Sequence, residues 1–250
     1  MAEVTKMNEI KISKIPVPTY AVDEAMNRLA TSLSFCGKDM KVIELTSRFA
    51  GEGKSYVSLN LMRTIANLGK RVVLIDADLR RSSLVQRYKM KFKQENSLGL
   101  AQYLAGMCSM EDIVYMTNIP NAYYVPVGKL VNSSLRLLSG PLFQQLVEGL
   151  REKYDVILID TPPVDSIVDA VEISKSCDGV LLVVKYGTGT KKEIGGAVES
   201  VTLTGCPVVG IVMNMVDMHK FTNRKYYYSK GYYGYYKNDD LYTKDKKAEQ

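Results

Sequence analysis

One stretch of the sequence, residues 46–55, restricts the fold more than any other. It reads Thr-Ser-Arg-Phe-Ala-Gly-Glu-Gly-Lys-Ser, follows the apolar run at 42–45 and precedes a segment of helical character at 56–68. A strand that leads through a glycine-rich turn into a helix N-terminus forms a cradle for phosphate groups, because free backbone N–H groups and the helix dipole favour anions. The stretch therefore predicts a nucleotide site.

Individual residues of this stretch have predicted roles in binding ATP and Mg²⁺. Lys54 supplies a mobile cation for the outer phosphates, and Ser55 offers its hydroxyl to magnesium. The other predicted nucleotide contacts of the loop are Gly51, Glu52, Gly53 and Tyr56. The strict pattern GxxxxGK[ST] has glycine where this chain has Arg48, but the Gly-x-Gly-Lys-Ser half is intact. A chance Gly-Lys-Ser in a surface turn would lack the preceding strand and the following helix.

Two later apolar runs end in aspartates that are candidate ligands of the same magnesium ion. The first run, 71–75, is followed by Asp76 and Asp78, and the second ends at Asp160. A buried strand that ends in aspartate is typical of the Walker B element, whose carboxylate holds magnesium, often through water. We therefore predict that Asp78 and Asp160 complete the metal site with the P-loop serine. A solvated strand-end turn is the weaker alternative for the first pair.

Short apolar runs alternate with helical patterns along most of the chain, and this alternation predicts an α/β fold. Two further strands are expected at 179–184 and 208–213, with a helix at 191–203 between them. The pattern indicates a doubly wound, mainly parallel sheet with helices on both faces. Strand C-termini face the ligand crevice in such sheets, so Asn214 could contact a purine base; a local turn hydrogen bond is an equal alternative.

Composition divides the chain into three regions. Residues 1–20 mix charges with prolines and are predicted to be an extended arm rather than a packed element. Residues 21–216 form the predicted P-loop domain, which begins with an amphipathic helix that ends near Gly37. Residues 217–250 have no set of aliphatic residues with which to build a core, and we expect a flexible, disordered tail.

The tail concentrates eight of the 17 tyrosines of the chain among glycines and lysines. Composition alone leaves three interpretations open: stacking on nucleic-acid bases, a sticky low-complexity end, or a set of phosphate acceptors. The candidate acceptors are Tyr226, Tyr227, Tyr228, Tyr232, Tyr233, Tyr235, Tyr236 and Tyr242.

Composition also argues against several other classes of protein. No run approaches the ~20 apolar residues of a membrane span, and the N-terminus lacks the apolar core of a signal peptide, so we expect a cytoplasmic protein. The four cysteines are scattered and form no CxxC pair, which argues against a metal cluster. The net charge of +6 allows attraction to an anionic membrane or to nucleic acid and requires neither. The only histidine, His219, lies just before the tyrosine cluster, so catalysis built on a core histidine has no candidate.

The ordered combination of these motifs resembles the bacterial tyrosine kinases of capsular and exopolysaccharide synthesis, in their free-standing cytoplasmic form. The resemblance rests on GEGKS at 51–55, IDADLR at 75–80, IDTPP at 159–163 and the tyrosine-rich end, and covers roughly residues 15–236. It implies a P-loop autokinase that transfers the γ-phosphoryl group of ATP to tyrosines in its own tail or in that of a neighbour.

The resemblance also assigns roles to the catalytic candidates. By position, Lys54 and Ser55 correspond to Walker A, Asp76 and Asp78 to an additional Walker A′ motif, and Asp160 to Walker B. A phenol has a pKa of about 10 against about 3.9 for aspartate, so ground-state deprotonation would be strongly uphill. An aspartate more plausibly orients the tyrosine hydroxyl and accepts its proton late, and we prefer Asp76 over Asp78 for this role.

The resemblance implies partners as well. These are a membrane-embedded co-polymerase of polysaccharide assembly that activates the kinase and recruits it to the inner face of the cell membrane, and a phosphotyrosine phosphatase. Nucleic acid is not expected. A homo-oligomer is implied, but the ExxRxxR motif that assembles it reads here EAMNRLA, in which only Glu24 matches. A second departure is Ala50, where the family often has proline.

The sequence leaves two alternatives open. One is a positioning ATPase of the MinD or ParA type, which shares the expected fold; such proteins carry a signature lysine where this chain has Phe49. The other is a non-catalytic scaffold that binds nucleotide and presents its tail to another kinase.

Overall fold

The computed structural model describes residues 8–37, 39–94, 97–131, 133–165 and 168–216. These residues form one sheet of nine strands, flanked by helices. In chain order the elements are β1 (Asn8–Ile12), α1 (Tyr20–Ser34), β2 (Val42–Ser47), α2 (Lys54–Asn67), β3 (Val72–Asp76), α3 (Leu84–Arg87), β4 (Met90–Phe92), α4 (Leu100–Leu104), α5 (Met110–Ile113), β5 (Tyr115–Thr117), β6 (Ala122–Val125), α6 (Ser134–Leu138), α7 (Pro141–Lys153), β7 (Val156–Asp160), α8 (Asp169–Ser174), β8 (Gly179–Lys185), α9 (Lys191–Thr202) and β9 (Val208–Asn214).

The strands lie in the order β4-β1-β5-β6-β3-β7-β2-β8-β9. All pairs from β6 to β9 are parallel, whereas β4 runs antiparallel to β1, and β5 antiparallel to β6. The predicted mainly parallel α/β sheet is therefore confirmed. Because parallel strands place their carboxyl ends at one edge, the residues that follow β2, β3 and β7 meet there.

Helices cover both faces of the central strands. Leu74 of β3 packs into one apolar core together with α1 and α2, and its neighbour Ile75 packs into the other core with α4 and α7. All six residues of β2 are buried. This explains why the central strands read as continuous apolar runs rather than as alternating ones.

The prediction of an extended N-terminal arm is wrong for residues 8–12. They form β1, in which Ile10 and Ile12 are only 2% and 1% exposed. The strand pairs with β4 on one side and with β5 on the other. Apolar and charged side chains alternate at residues 10–12, which is the pattern of a strand. The prolines that follow the strand obscured this pattern.

Other boundaries differ by a few residues. Helix α1 ends at Ser34 rather than near Gly37, and α2 begins at Lys54, two residues earlier than expected. Helix α5 ends at Ile113, and Tyr115 begins β5. The predicted disordered tail, 217–250, lies outside the described residues.

Candidate active site

The loop between β2 and α2 has the backbone geometry of a phosphate cradle. Gly51 and Gly53 have φ values of 87° and 86°, in the left-handed region that favours glycine. Gly53 also lies so close to the end of β9 that a Cβ there would be 2.1 Å from Asn214 Nδ2. The fold therefore requires both glycines of the motif for their φ values. It requires Gly53 also because Asn214 leaves no room for a side chain there.

Three side chains from the start of α2 converge on Asp160 at the end of β7. Lys54 Nζ lies 2.7 Å from Asp160 Oδ1, and Ser55 Oγ donates a 2.8 Å hydrogen bond to Oδ2. Ser58 Oγ donates a further 2.8 Å hydrogen bond to Oδ1. The lysine and the aspartate are only 8% and 1% exposed, so this is a buried, satisfied ion pair.

The position of Lys54 is unfavourable unless an anion is close to it. It is the first residue of α2, and the positive end of the helix dipole repels a cation there. Asp160 supplies the anion in this structure. A bound phosphate group would supply one as well.

Ser58 was not identified from the sequence. Its hydroxyl also contacts the Lys54 carbonyl, at 3.1 Å. It lies four residues after Lys54 and three after Ser55, which places all three side chains on one helix face. That spacing was the signal available for finding it.

Asp76 lies beside Asp160, because β3 and β7 pair in parallel with these two residues in register. Its carboxyl is 1% exposed and accepts hydrogen bonds from Tyr124 Oη, at 3.0 Å, and from Ser82 Oγ. Burial, with a contribution from the negative charge of Asp160, raises the pKa of Asp76 to about 7. No described residue hydrogen-bonds to its Oδ1. The Oδ1 atom of this buried carboxyl can therefore accept a further hydrogen bond.

Asp78 is placed differently from its neighbour in the sequence. It is half-buried, and its Oδ1 accepts a 2.9 Å hydrogen bond from the backbone N–H of Arg81. The contacts of its carboxylate thus shape the turn after β3. Its role as a magnesium ligand stays a prediction.

Glu52 and Asn214 fix the shape of the loop. Glu52 Oε2 accepts from the backbone N–H of Phe49 at 2.9 Å, and Asn214 Nδ2 donates to the Glu52 carbonyl at 2.9 Å. The asparagine therefore links the end of β9 to the cradle by a hydrogen bond that spans 162 positions of the sequence, rather than by a local turn hydrogen bond. That it contacts a purine base stays a prediction, as does a nucleotide contact of Tyr56, the third residue of α2.

Arg48, the departure from the strict loop pattern, is buried beside the cradle. Its guanidinium lies 3.1 Å from Asp165 Oδ2 and 3.4 Å from Glu193 Oε1, and packs 4.1 Å from the centre of the Phe49 ring. It also packs so closely on Gly189 that a Cβ there would be 2.2 Å from Nη1. Arg48 therefore ties the loop to the segment after β7 and to the start of α9.

The residues present fit ATP with Mg²⁺. The described residues include no cluster of three or more His, Cys, Asp or Glu side chains able to hold a metal ion. Magnesium in nucleotide sites requires only one or two carboxylates together with phosphate oxygens. The Ser55 hydroxyl next to Asp160 and the glycine cradle provide a donor set of that kind.

Glu44, in the middle of β2, is a buried acid that no sequence pattern revealed. Its two carboxyl oxygens accept 2.8 Å hydrogen bonds from Thr161 Oγ1 and Ser174 Oγ. Burial raises its pKa to about 7. Thr161 directly follows Asp160, so this acid supports the segment that carries the Walker B aspartate.

Replacing Glu44 by glutamine should change how stability depends on pH. An acid whose pKa is 4.5 unfolded and about 7 folded contributes stability below pH 4.5 that is lost as the pH rises to about 7. The stability of Glu44→Gln relative to the unmutated protein should therefore rise across this window, by at most about 1.4 kcal/mol per pH unit, and level off above it. Urea unfolding between pH 5 and 8 measures this. The exposed Glu152→Gln serves as the control, and a difference for Glu44→Gln that is constant with pH would contradict the assignment.

A glycine cradle, a buried lysine followed by a half-buried serine, and aspartates at the ends of two adjacent parallel strands define a P-loop nucleotide-binding protein. Residues 40–194 match the AAA domain family. Tyrosine-protein kinase CpsD of Streptococcus agalactiae serotype III is 35% identical over 195 residues, which are 78% of this chain and 83% of that protein. The chain belongs to the family of bacterial tyrosine-protein kinases, and the resemblance predicted from its motifs is confirmed.

Solved structures agree with this assignment. The kinase domain of the Escherichia coli tyrosine kinase ETK superposes with a TM-score of 0.75 at 28% identity, over 83% of each chain. The septum site-determining protein MinD of Pyrococcus horikoshii, solved with Mg-ADP, shares the fold with a TM-score of 0.59 at 24% identity over 69% of each chain. The predicted MinD-like architecture is thus confirmed, whereas the relationship in sequence favours the kinases over the positioning ATPases.

Proposed function

We propose that this kinase uses ATP and Mg²⁺ to phosphorylate the tyrosine cluster of its own C-terminal region, in the same chain or in a neighbouring copy. The observation that carries the proposal is the convergence of Lys54, Ser55 and Asp76 around Asp160, at the edge of the sheet where the phosphate cradle opens. The proposed acceptors, Tyr226 to Tyr242, lie outside the described residues.

Binding and positioning of ATP fall to the loop and to Lys54. The loop N–H groups and the Lys54 ammonium would hold the phosphates, with Lys54 Nζ exchanging its contact with Asp160 for one with phosphate oxygens. Ser55, Asp160 and Asp78 would hold Mg²⁺, which when bound neutralises charge on the β- and γ-phosphate oxygens. Catalysis of this kind consists mainly of positioning and electrostatic stabilisation.

Asp76 is the residue proposed to act on the attacking tyrosine. The phenol oxygen forms a bond to the γ-phosphorus while the bond from phosphorus to the β,γ-bridging oxygen breaks and ADP leaves. The phenol proton passes to Asp76 late in this process, since a phenol of pKa about 10 is the weaker acid. A carboxyl whose pKa is raised to about 7 is a better proton acceptor than an ordinary aspartate.

The physiological role follows from the family resemblance. We propose control of capsular or exopolysaccharide synthesis, with activation by a membrane-embedded co-polymerase, recruitment by it to the inner face of the membrane, and reversal by a phosphotyrosine phosphatase. No helix among the described residues is long and apolar enough to cross a membrane. Each phosphotyrosine adds about −1.5 to −2 charges, so a few would reverse the charge of the lysine-containing tail and weaken contacts with other subunits or the activator.

Incubation of the purified full chain with ATP and Mg²⁺, followed by mass spectrometric mapping of phosphate, tests the proposal. We expect phosphotyrosine within 226–242 and none in a variant whose eight tail tyrosines are phenylalanine. Release of ADP without phosphotyrosine would instead support a positioning ATPase. Phosphotyrosine that forms only after another kinase is added would support a scaffold.

A further inference from the structure

The sheet ends beyond β6 in three short strands, β5, β1 and β4, and within the described part of the chain one face of these strands is largely uncovered. On the covered face, Ile10, Ile12 and Tyr115 are buried in the core that contains α1 and α2. Successive side chains of a strand point to opposite faces, and the strand register aligns neighbours across the sheet. The uncovered face is therefore formed by Glu9, Lys11, Lys91, Lys93 and Met116, which we call the basic face.

Two lysines lie directly opposite each other on the basic face. Lys11 of β1 is in register with Lys91 of β4, and both are exposed. Like charges directly opposite each other destabilise a strand pair. Within the described part of the chain, neither lysine has a carboxylate within ion-pairing distance, whereas Lys93 pairs with Glu9 at 3.0 Å. The face thus carries an uncompensated positive charge at a cost to the fold.

Protection of the sheet edge explains only part of this arrangement. Lysines on an edge strand prevent pairing with another sheet, which accounts for Lys91 and Lys93 on β4. Lys11 lies on β1, which is already paired on both sides. Edge protection gives no reason for a second ammonium group opposite Lys91.

We propose that the basic face binds the surface of a membrane rich in anionic lipid. Its cations are all ammonium groups, which act as point charges toward a diffuse layer of phosphate headgroups rather than as the forked donors that suit one defined ligand. Met116, 41% exposed, adds an apolar contact beside them. Tyr123 of β6 is in register with Met116, but its ring is half-buried and packs edge-on against Tyr154 at 4.9 Å, so it is not positioned to stack on a nucleic-acid base.

This contact would also orient the kinase. Strand β9, from which the chain continues toward its tyrosines, is seven strand positions from β1 across the sheet. At about 4.8 Å per step, the two strands are separated by about 34 Å along the sheet. Docking through β1 and β4 therefore leaves the P-loop edge and the end of β9 accessible to a neighbouring copy. The proposal does not depend on kinase activity.

Vesicle flotation with the full chain, without ATP, tests the proposal. The probes are vesicles of phosphatidylcholine alone and vesicles containing about one third phosphatidylglycerol. The test variant is Lys11→Gln/Lys91→Gln, and the control is Lys70→Gln/Lys175→Gln, which removes two exposed lysines elsewhere. Lysines of the C-terminal region are present in all three proteins, so they contribute equally.

We expect binding to the anionic vesicles only, lost at high salt, with a partition coefficient about 25-fold lower for the test variant, since each lysine near such a surface contributes about fivefold. The control variant should bind within about twofold of the unmutated protein. The melting temperature of the test variant should be unchanged or higher, because a repulsive pair is removed. Equal losses in both variants, equal binding to neutral vesicles, or a preference of the basic face for nucleic acid over anionic vesicles would overturn the proposal.

Discussion

Replacing Lys54 by methionine is expected to lower the rate of tyrosine autophosphorylation by about a thousandfold. The side chain is buried at the N-terminus of α2, where its charge opposes the helix dipole and is balanced by Asp160 at 2.7 Å. Methionine retains the length and apolar stem of lysine but cannot neutralise charge on the transferred phosphoryl group. Loss of one such group in phosphoryl transfer has effects of this size.

The measurement is the initial rate of phosphotyrosine formation at saturating ATP and Mg²⁺. Lys70→Met is the matched control, because Lys70 is exposed just beyond the same helix and should have no effect. Circular dichroism establishes that Lys54→Met is folded, since removing one partner of a buried pair also costs stability. A rate within tenfold of that of the unmutated protein would contradict the role assigned to Lys54.

Mixing Lys54→Met with active protein separates the two routes of phosphorylation. The inactive copy still carries its tail tyrosines, so phosphate on its tail can come only from a neighbouring active chain. Labelling of that tail supports phosphorylation between copies. An unlabelled Lys54→Met tail would restrict the reaction to one chain.

The parts of the site that local sequence encodes were predictable. The P-loop, its two glycines and the aspartates at the ends of β3 and β7 each follow from short motifs, and parallel pairing of adjacent strands brings them together. The fold class follows from the same alternation of strands and helices. Strand β1 was not predicted, because only three of its residues carry the alternating pattern.

The supporting contacts were not predictable, because they join residues far apart in the sequence. Arg48 meets Asp165 and Glu193 across 117 and 145 positions, and Glu44 meets Ser174 across 130. Nothing local to Arg48 indicates that its guanidinium ties the loop to Asp165 and Glu193. Likewise, the raised pKa of Asp76 depends on burial beneath side chains that become its neighbours only after folding.

Replacing Asp76 by asparagine should lower kcat for autophosphorylation by about a thousandfold and leave nucleotide affinity within about threefold. Asparagine is nearly isosteric and its oxygen can still accept from Ser82 and Tyr124, which bind Asp76 Oδ2. It cannot accept the phenol proton, and loss of a general base of this kind costs about 10²- to 10⁴-fold. Fluorescent-nucleotide titration and the rate of phosphotyrosine formation separate binding from chemistry.

Asp78→Asn is the informative comparison, because Asp78 is two residues away and is predicted to hold Mg²⁺ rather than the proton. Loss of the Asp78 carboxylate should raise the Mg²⁺ concentration required for half-maximal activity, so that additional Mg²⁺ restores much of the rate. The Asp76→Asn defect should persist at any Mg²⁺ concentration, because it lies in proton acceptance. If Mg²⁺ restores Asp76→Asn and not Asp78→Asn, the two roles are reversed, and the half-buried carboxylate that contacts the Arg81 backbone N–H is the one that meets the substrate tyrosine.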